Sequence, residues 1–179
     1  IRRERSNTMS NILVQNIKHT NNTTAQTIDS TGRILTPARP AFRARIAGSS
    51  SATGTQGVLV FETEDFDIGG NYDTSNGRFT APIAGIYWFA FNIITATNTS
   101  GGTPTAGDSV AVRFIKNGSD IAGTLGYSMI NANYQIVLNS IHIFQLSASD
   151  YIQVNVSSEF AYSDGTAVND PTFQGCLIG

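Results

Sequence analysis

The stretch Gly85-Ile86-Tyr87-Trp88-Phe89-Ala90-Phe91-Asn92-Ile93-Ile94-Thr95 decides the architecture of this chain. Its odd positions Tyr87, Phe89, Phe91 and Ile93 are apolar, and its even positions Ile86, Trp88 and Ala90 are largely apolar too. Alternation of aromatic and β-branched residues at period two marks a strand, because successive side chains point to opposite faces. A sandwich strand ordinarily keeps one wet face. Here both faces want cover, which predicts a strand shielded by the core on one side and by loops or a second subunit on the other.

The surrounding sequence has the same character. Val110, Val112 and Phe114 alternate before Asn117-Gly118, a pair suited to a type I′ turn with two positive φ angles, so a hairpin is expected over Lys116 to Asp120. Ile136 to Leu146 and Tyr151 to Val156 read as strands flanking the turn Ser147-Ala148-Ser149-Asp150, and Phe173 to Ile178 as a last strand. Gly, Asn, Asp and Ser punctuate these runs at the intervals of a sandwich, and helix signatures are missing. The segment Thr95 to Asp108, with Gly101-Gly102 and Pro104, reads as an exposed loop and the first candidate for contact with something external.

Composition bounds the possibilities. The 179 residues suffice for one ordinary domain with an appendage, able to bury about 70% of the unfolded surface. The single Cys176 has no intrachain disulfide partner and reads as a small buried hydrophobe. No apolar run is long enough to cross a bilayer, and the basic opening Ile1 to Arg5 leads into polar residues, so neither membrane insertion nor Sec-type export is expected. Charge is divided, with +6 over residues 1 to 45 and −8 over the remainder. A basic end on an acidic body suits docking of that end onto an acidic surface, against the plainer reading of solvated charge. Basic residues spread through extended sequence without aromatic interleaving do not suit nucleic acid.

One constellation is more specific. Phe61, Asp67, Tyr72, Phe79, Gly85, Tyr87 and Phe89, with Phe173 later, stand at spacings that resemble the signature of the globular head of complement C1q. The string Gly77-Arg78-Phe79-Thr80-Ala81-Pro82-Ile83-Ala84-Gly85-Ile86-Tyr87-Trp88-Phe89 is especially similar, and Lys116-Asn117-Gly118, Leu146 to Asp150 and Phe173-Gln174-Gly175-Cys176-Leu177 follow in order. The resemblance covers Phe42 to Gly179. It implies an all-β fold, a ten-stranded jelly-roll sandwich of the C1q and tumour-necrosis-factor type, preceded by an extended N-terminal arm and assembled as a homotrimer. Closed threefold symmetry would house surplus apolar strand faces. The trimer contact is assigned to Phe42, Val112, Phe114, Tyr151, Val154 and Leu177, with the signature residues as core.

Residues 1–40 lie outside that resemblance, the head being taken as 41–179. Ile12, Val14, Ile17, Ile28, Ile34 and Leu35 form short apolar pieces separated by polar residues, expected to be strands and turns that order against neighbours. Neither a heptad nor a collagen-like repeat precedes the head. The octet 1–8 reads as foreign, its Arg-Arg-Glu run back-translating to a purine-rich stretch like a ribosome-binding site, with Met9 as the natural start. Ile17 to Ala25 and Thr27 to Ile34 resemble segments preceding such heads in structural proteins of tailed bacteriophages. That resemblance implies a virion component assembled in the host cytoplasm. The arm would bind the major capsid protein or a tail component, and the head a host-surface glycan or protein. The alternative is a secreted or surface module that binds sugars or proteins.

Chemistry finds little footing. His19 and His142 have no nucleophile motif around them, and serine-elbow and phosphate-loop patterns are absent, so no enzyme and no cofactor are expected. Glu64, Asp65 and Asp67, near Glu62 and Asp73, are the weak candidates for a cation such as calcium, although their spacing fits no known loop and a solvated acidic run is the plainer reading. Asp164 and Asp170 share that ambiguity.

Overall fold

Short alternating runs broken by turn-forming residues become strands throughout the computed structural model, which describes residues 14–46, 57–94, 109–129, 136–156 and 171–179. The chain divides into two compact units, 1–38 and 39–179. The first contains a three-stranded antiparallel meander, β1 (Asn16–Lys18), β2 (Thr24–Ile28) and β3 (Ile34–Leu35). Its second turn is tied by Asp29, whose carboxylate accepts from the Thr31 and Arg33 backbone N–H groups and pairs with the Arg33 guanidinium at 2.6 Å.

The second unit is a sandwich. Its strands are β4 (Ala41–Arg45), β5 (Gly57–Val58), β6 (Thr63–Ile68), β7 (Tyr72–Asp73), β8 (Arg78–Thr80), β9 (Gly85–Ile94), β10 (Ser109–Lys116), β11 (Ser119–Asp120), β12 (Gly126–Met129), β13 (Val137–Leu146), β14 (Tyr151–Val156) and β15 (Thr172–Leu177). Among the described residues these are twelve segments, several only two residues long. One sheet runs β13-β9-β15-β4-β6; the other runs β11-β10-β14-β8-β7, with β12 paired to β10 and β5 to β14. The chain changes sheet at each step from β4 to β7, and again from β8 to β9, β9 to β10, β12 to β13, β13 to β14 and β14 to β15. The turn at 147–150 therefore joins two sheets, whereas the Asn117-Gly118 turn closes a hairpin with Lys116 opposite Ser119 and φ values of 51° and 79°.

The inward faces of both sheets supply the core. Tyr87, Phe89, Phe91 and Ile93 of β9 meet Val110, Val112 and Phe114 of β10, Ile152 and Val154 of β14, and Phe42, Phe61, Phe79 and Phe173, all buried. Phe42 stacks on Tyr72 at 4.8 Å and on Phe79 at 4.9 Å and takes the edge of Phe173 at 4.9 Å. Offset and edge contacts of this kind favour one arrangement of the rings beyond the area they bury. Gly175 lets β15 lie against Phe89, because a Cβ there would run into that ring and stand 3.0 Å from the Trp88 carbonyl.

Candidate assembly and recognition surface

The register of the five-stranded sheet sorts its residues by face. Opposite pairs share a face, so the row Ile143, Trp88, Cys176, Ala41, Ile68 crosses all five strands on the outward side, and so does the row Ile141, Ala90, Gln174, Arg43, Phe66. Ile141 and Ile143 are 63% and 61% exposed, and Val137, Phe66 and Ile68 are exposed as well. Beside β13, on the other sheet's edge strand β12, Tyr127 and Met129 are also exposed, so the apolar zone continues round that edge. Contiguous apolar surface of this extent marks an interaction site, whereas single exposed hydrophobes are ordinary.

The six residues assigned from sequence to the trimer contact fare differently. Phe42, Val112, Phe114 and Val154 are enclosed in the chain's own core and cannot touch a partner. This corrects their assignment: each points inward at its register position, into the space between the sheets. Tyr151 and Leu177 are partly exposed, Tyr151 carrying the Arg78 guanidinium 3.7 Å above its ring and Leu177 packing against the core margin. The residues that do face outward, Ile141 and Ile143 above all, lie in a strand with apolar residues at both parities, the same signal that singled out β9.

The signature residues sit around the sandwich interior. Phe61, Phe79, Tyr87, Phe89 and Phe173 are buried, Gly85 opens β9, and Asp67 accepts the Tyr72 backbone N–H at 2.8 Å. Tyr72 donates its hydroxyl to the Phe61 carbonyl at 3.2 Å, and burial pushes that hydroxyl well above the ordinary tyrosine range. Burial raises Tyr87 likewise while it donates to the Ile83 carbonyl at 2.8 Å.

Two members of the acidic run near β6 make protein contacts, Asp67 through Oδ2 while its Oδ1 is buried without a hydrogen-bond partner. Asp65 bridges Arg45 at 2.8 Å and Arg43 at 3.3 Å, Asp67 holds the Tyr72 backbone, and Glu64 is exposed. Among the described residues no three His, Cys, Asp or Glu side chains converge as a metal site. His142 points into the sandwich, edge-on to Phe114 at 5.9 Å and stacked on Phe144 at 5.8 Å, so its ring neighbours are phenyl groups. His19 lies in the β1–β2 turn, where its Nδ1 accepts from the Asn21 N–H at 3.3 Å.

In the first unit Val14, Ile17, Ile34 and Leu35 are exposed and Ile28 partly so. Register puts Ile28 opposite Ile34 and Ile17 opposite Gln26, which places the three isoleucines on one face. Ile12, the octet 1–8, the loop over 95–108, Asp164 and Asp170 lie outside the described residues.

A family model described as the C1q domain matches residues 41–178. Among solved structures, the globular domain of zebrafish complement 1qA protein is similar with a TM-score of 0.58 at 17% identity, covering 78% of this chain and 98% of that one. Murine APRIL, in a crystal structure at pH 5.0, is similar with a TM-score of 0.54 at 11% identity, covering 78% and 99%. The two likenesses concern the fold: an all-β jelly roll.

Proposed function

The chain belongs to the C1q domain family, and from that premise we propose that it is a non-enzymatic homotrimeric structural protein of a bacteriophage virion, a capsid decoration protein or short spike. Residues 9–40 fasten it to the particle, and the head projects outward to bind a host surface. The observation that carries the assembly is the exposed apolar outer face of the five-stranded sheet, with Ile141 and Ile143 its most exposed members. A ring-closing contact joins two different patches. The protruding edge of Ile141, Ile143, Tyr127 and Met129 and the broader face of Trp88, Ala41, Phe66 and Ile68 supply such a pair. An obligate interface of about 2,000 Å² or more would cover both.

Two features support the virion reading: the phage-like sequence of the segments 17–25 and 27–34, and the three isoleucines that the small sheet presents on one face. Many copies on one particle would turn weak contacts of each head into strong avidity. Mass spectrometry of particles banded from a lysate of the source cells tests this: the chain is expected among the structural proteins, and its absence overturns the virion assignment. Deleting residues 9–40 is expected to leave a soluble trimer that no longer joins the particle. The second reading, a surface or secreted module binding sugars or proteins, draws on the likeness to the complement globular domain. It gains if the chain is missing from particles and present at the cell surface or in the medium.

A further inference from the structure

The five-stranded sheet ends in two edge strands, and they are guarded in opposite ways. At β6 the pairing with β4 skips Asp65, and Glu64, Asp65 and Asp67 set three carboxylates along six residues. A bulge and charges are the devices by which an edge refuses another strand. β13 has neither. Its ten residues pair with β9 in unbroken register and include no Asp, Glu, Lys, Arg, Pro or Gly. Among the described residues β13 is bonded on that side alone, since β12 beside it bonds to β10. An open edge of this length and character is a template for one more strand.

We propose that the strand it takes is β13 of a second copy, antiparallel about a twofold axis at His142. The sequence singles out that mate. On either side of His142, at equal distances, stand Ile141 and Ile143, then Asn139 and Gln145, then Leu138 and Leu146, with only Ser140 and Phe144 unmatched. Laid antiparallel against its own copy in this register, the strand sets isoleucine against isoleucine, amide against amide and leucine against leucine, each a compatible cross-strand pair. A slip of one residue would oppose side chains from different faces, and the neighbouring registers that keep the faces matched put Ile143 opposite Asn139 or Ile141 opposite Gln145. A twofold contact uses one patch twice and closes at two chains. The inference goes beyond the threefold reading. The ring seats this edge in a neighbour's face through side chains, whereas the twofold pair joins it through backbone groups, so the pair belongs to chains outside a closed ring.

The test is a cysteine cross-link in the full chain, with Cys176→Ala removing the native thiol and Phe66→Asp opening the ring from its broader face without touching β13. Ile141→Cys and Ile143→Cys are made in separate preparations of this background; both side chains are exposed in the single chain, so each variant is expected to fold. In the proposed register position 141 of one copy lies about 5 Å from position 143 of the other, within disulfide reach, and about 7–8 Å from its own counterpart. Under mild oxidation the mixed preparations are expected to give a covalent two-chain product in at least about tenfold the yield of either alone. Equal yields from mixed and separate preparations, or no two-chain product, overturn the inference. Neither result touches the ring, which the mass of the parent chain by light scattering reports. Should the Phe66→Asp background give no soluble protein, the two cysteine variants are mixed without it at a dilution where sedimentation finds no trimer, with the same expected and overturning results.

Discussion

The two outward faces of the sandwich are finished differently. On the seven-stranded sheet most outward residues are polar and several are tied within the chain: Arg113 pairs with Asp120, Arg78 lies over Tyr151, and Gln153 donates to the Asn76 carbonyl at 2.8 Å, the exposed Tyr127 and Met129 at its β12 edge being the exception. On the five-stranded sheet Ile141, Ile143, Phe66 and Ile68 stand in solvent. The same alternation and the same core lie beneath both. The first face is largely finished as a water-facing surface of one chain, and on the proposed reading the second is finished by another copy.

The comparison presumes that one interior serves both sheets, and its sharpest break is Phe89→Ala. Phe89 touches Phe42, Phe79, Phe114 and Phe173, so its loss is expected to cost about 3–5 kcal/mol, and an unchanged melting temperature would place β9 elsewhere. Ile141→Asp addresses the unfinished face alone. The side chain is exposed in the single chain, so folding should change by no more than about 0.5 kcal/mol while association weakens by more than about tenfold by sedimentation. Asn155→Asp on the other outer face, opposite Arg113, is the matched control and should leave mass unaltered. If both substitutions dissociate the assembly, or neither does, the contrast between the faces is wrong.

The smallest effect lies at the turn joining the sheets. Lys116 at 2.7 Å, then the Asn117 amide and the Ser147 backbone N–H, hold Asp150 down at about 2 against its usual 3.8. Because the folded value lies below the unfolded one, the stabilisation is fully present above about pH 4 and is lost as pH falls toward about 2. Asp150→Asn is expected to lower the melting temperature near neutral pH and to flatten its decline over that acid window. A variant with the parent's acid profile would show that the turn contributes nothing.

Much of this was legible in the residues. The Asn117-Gly118 hairpin followed from turn chemistry, and the alternating sets of β9 and β10 from their period of two. Alternation sorts side chains into two faces without saying which face meets the other sheet. Sequence alone therefore assigns Phe42, Val112, Phe114 and Val154 to a partner, whereas they close the chain's own core. Only pairing register, which joins residues from distant parts of the chain, identifies the outward rows. Ile141 and Ile143 carried the informative signal of apolar residues at both parities of one strand.

The position of β15 bears on how the protein must be made. Residues 172–177 are inserted between β9 and β4, at the centre of their sheet. A growing chain on the ribosome thus carries β9, greasy on both sides, without its second neighbour until residues 172–177 have been translated. Pairings that span so much sequence are slow to form. A premature stop before Thr172 would leave two half-sheets with raw edges, a product destined for aggregation or proteolysis rather than for a slightly weakened head.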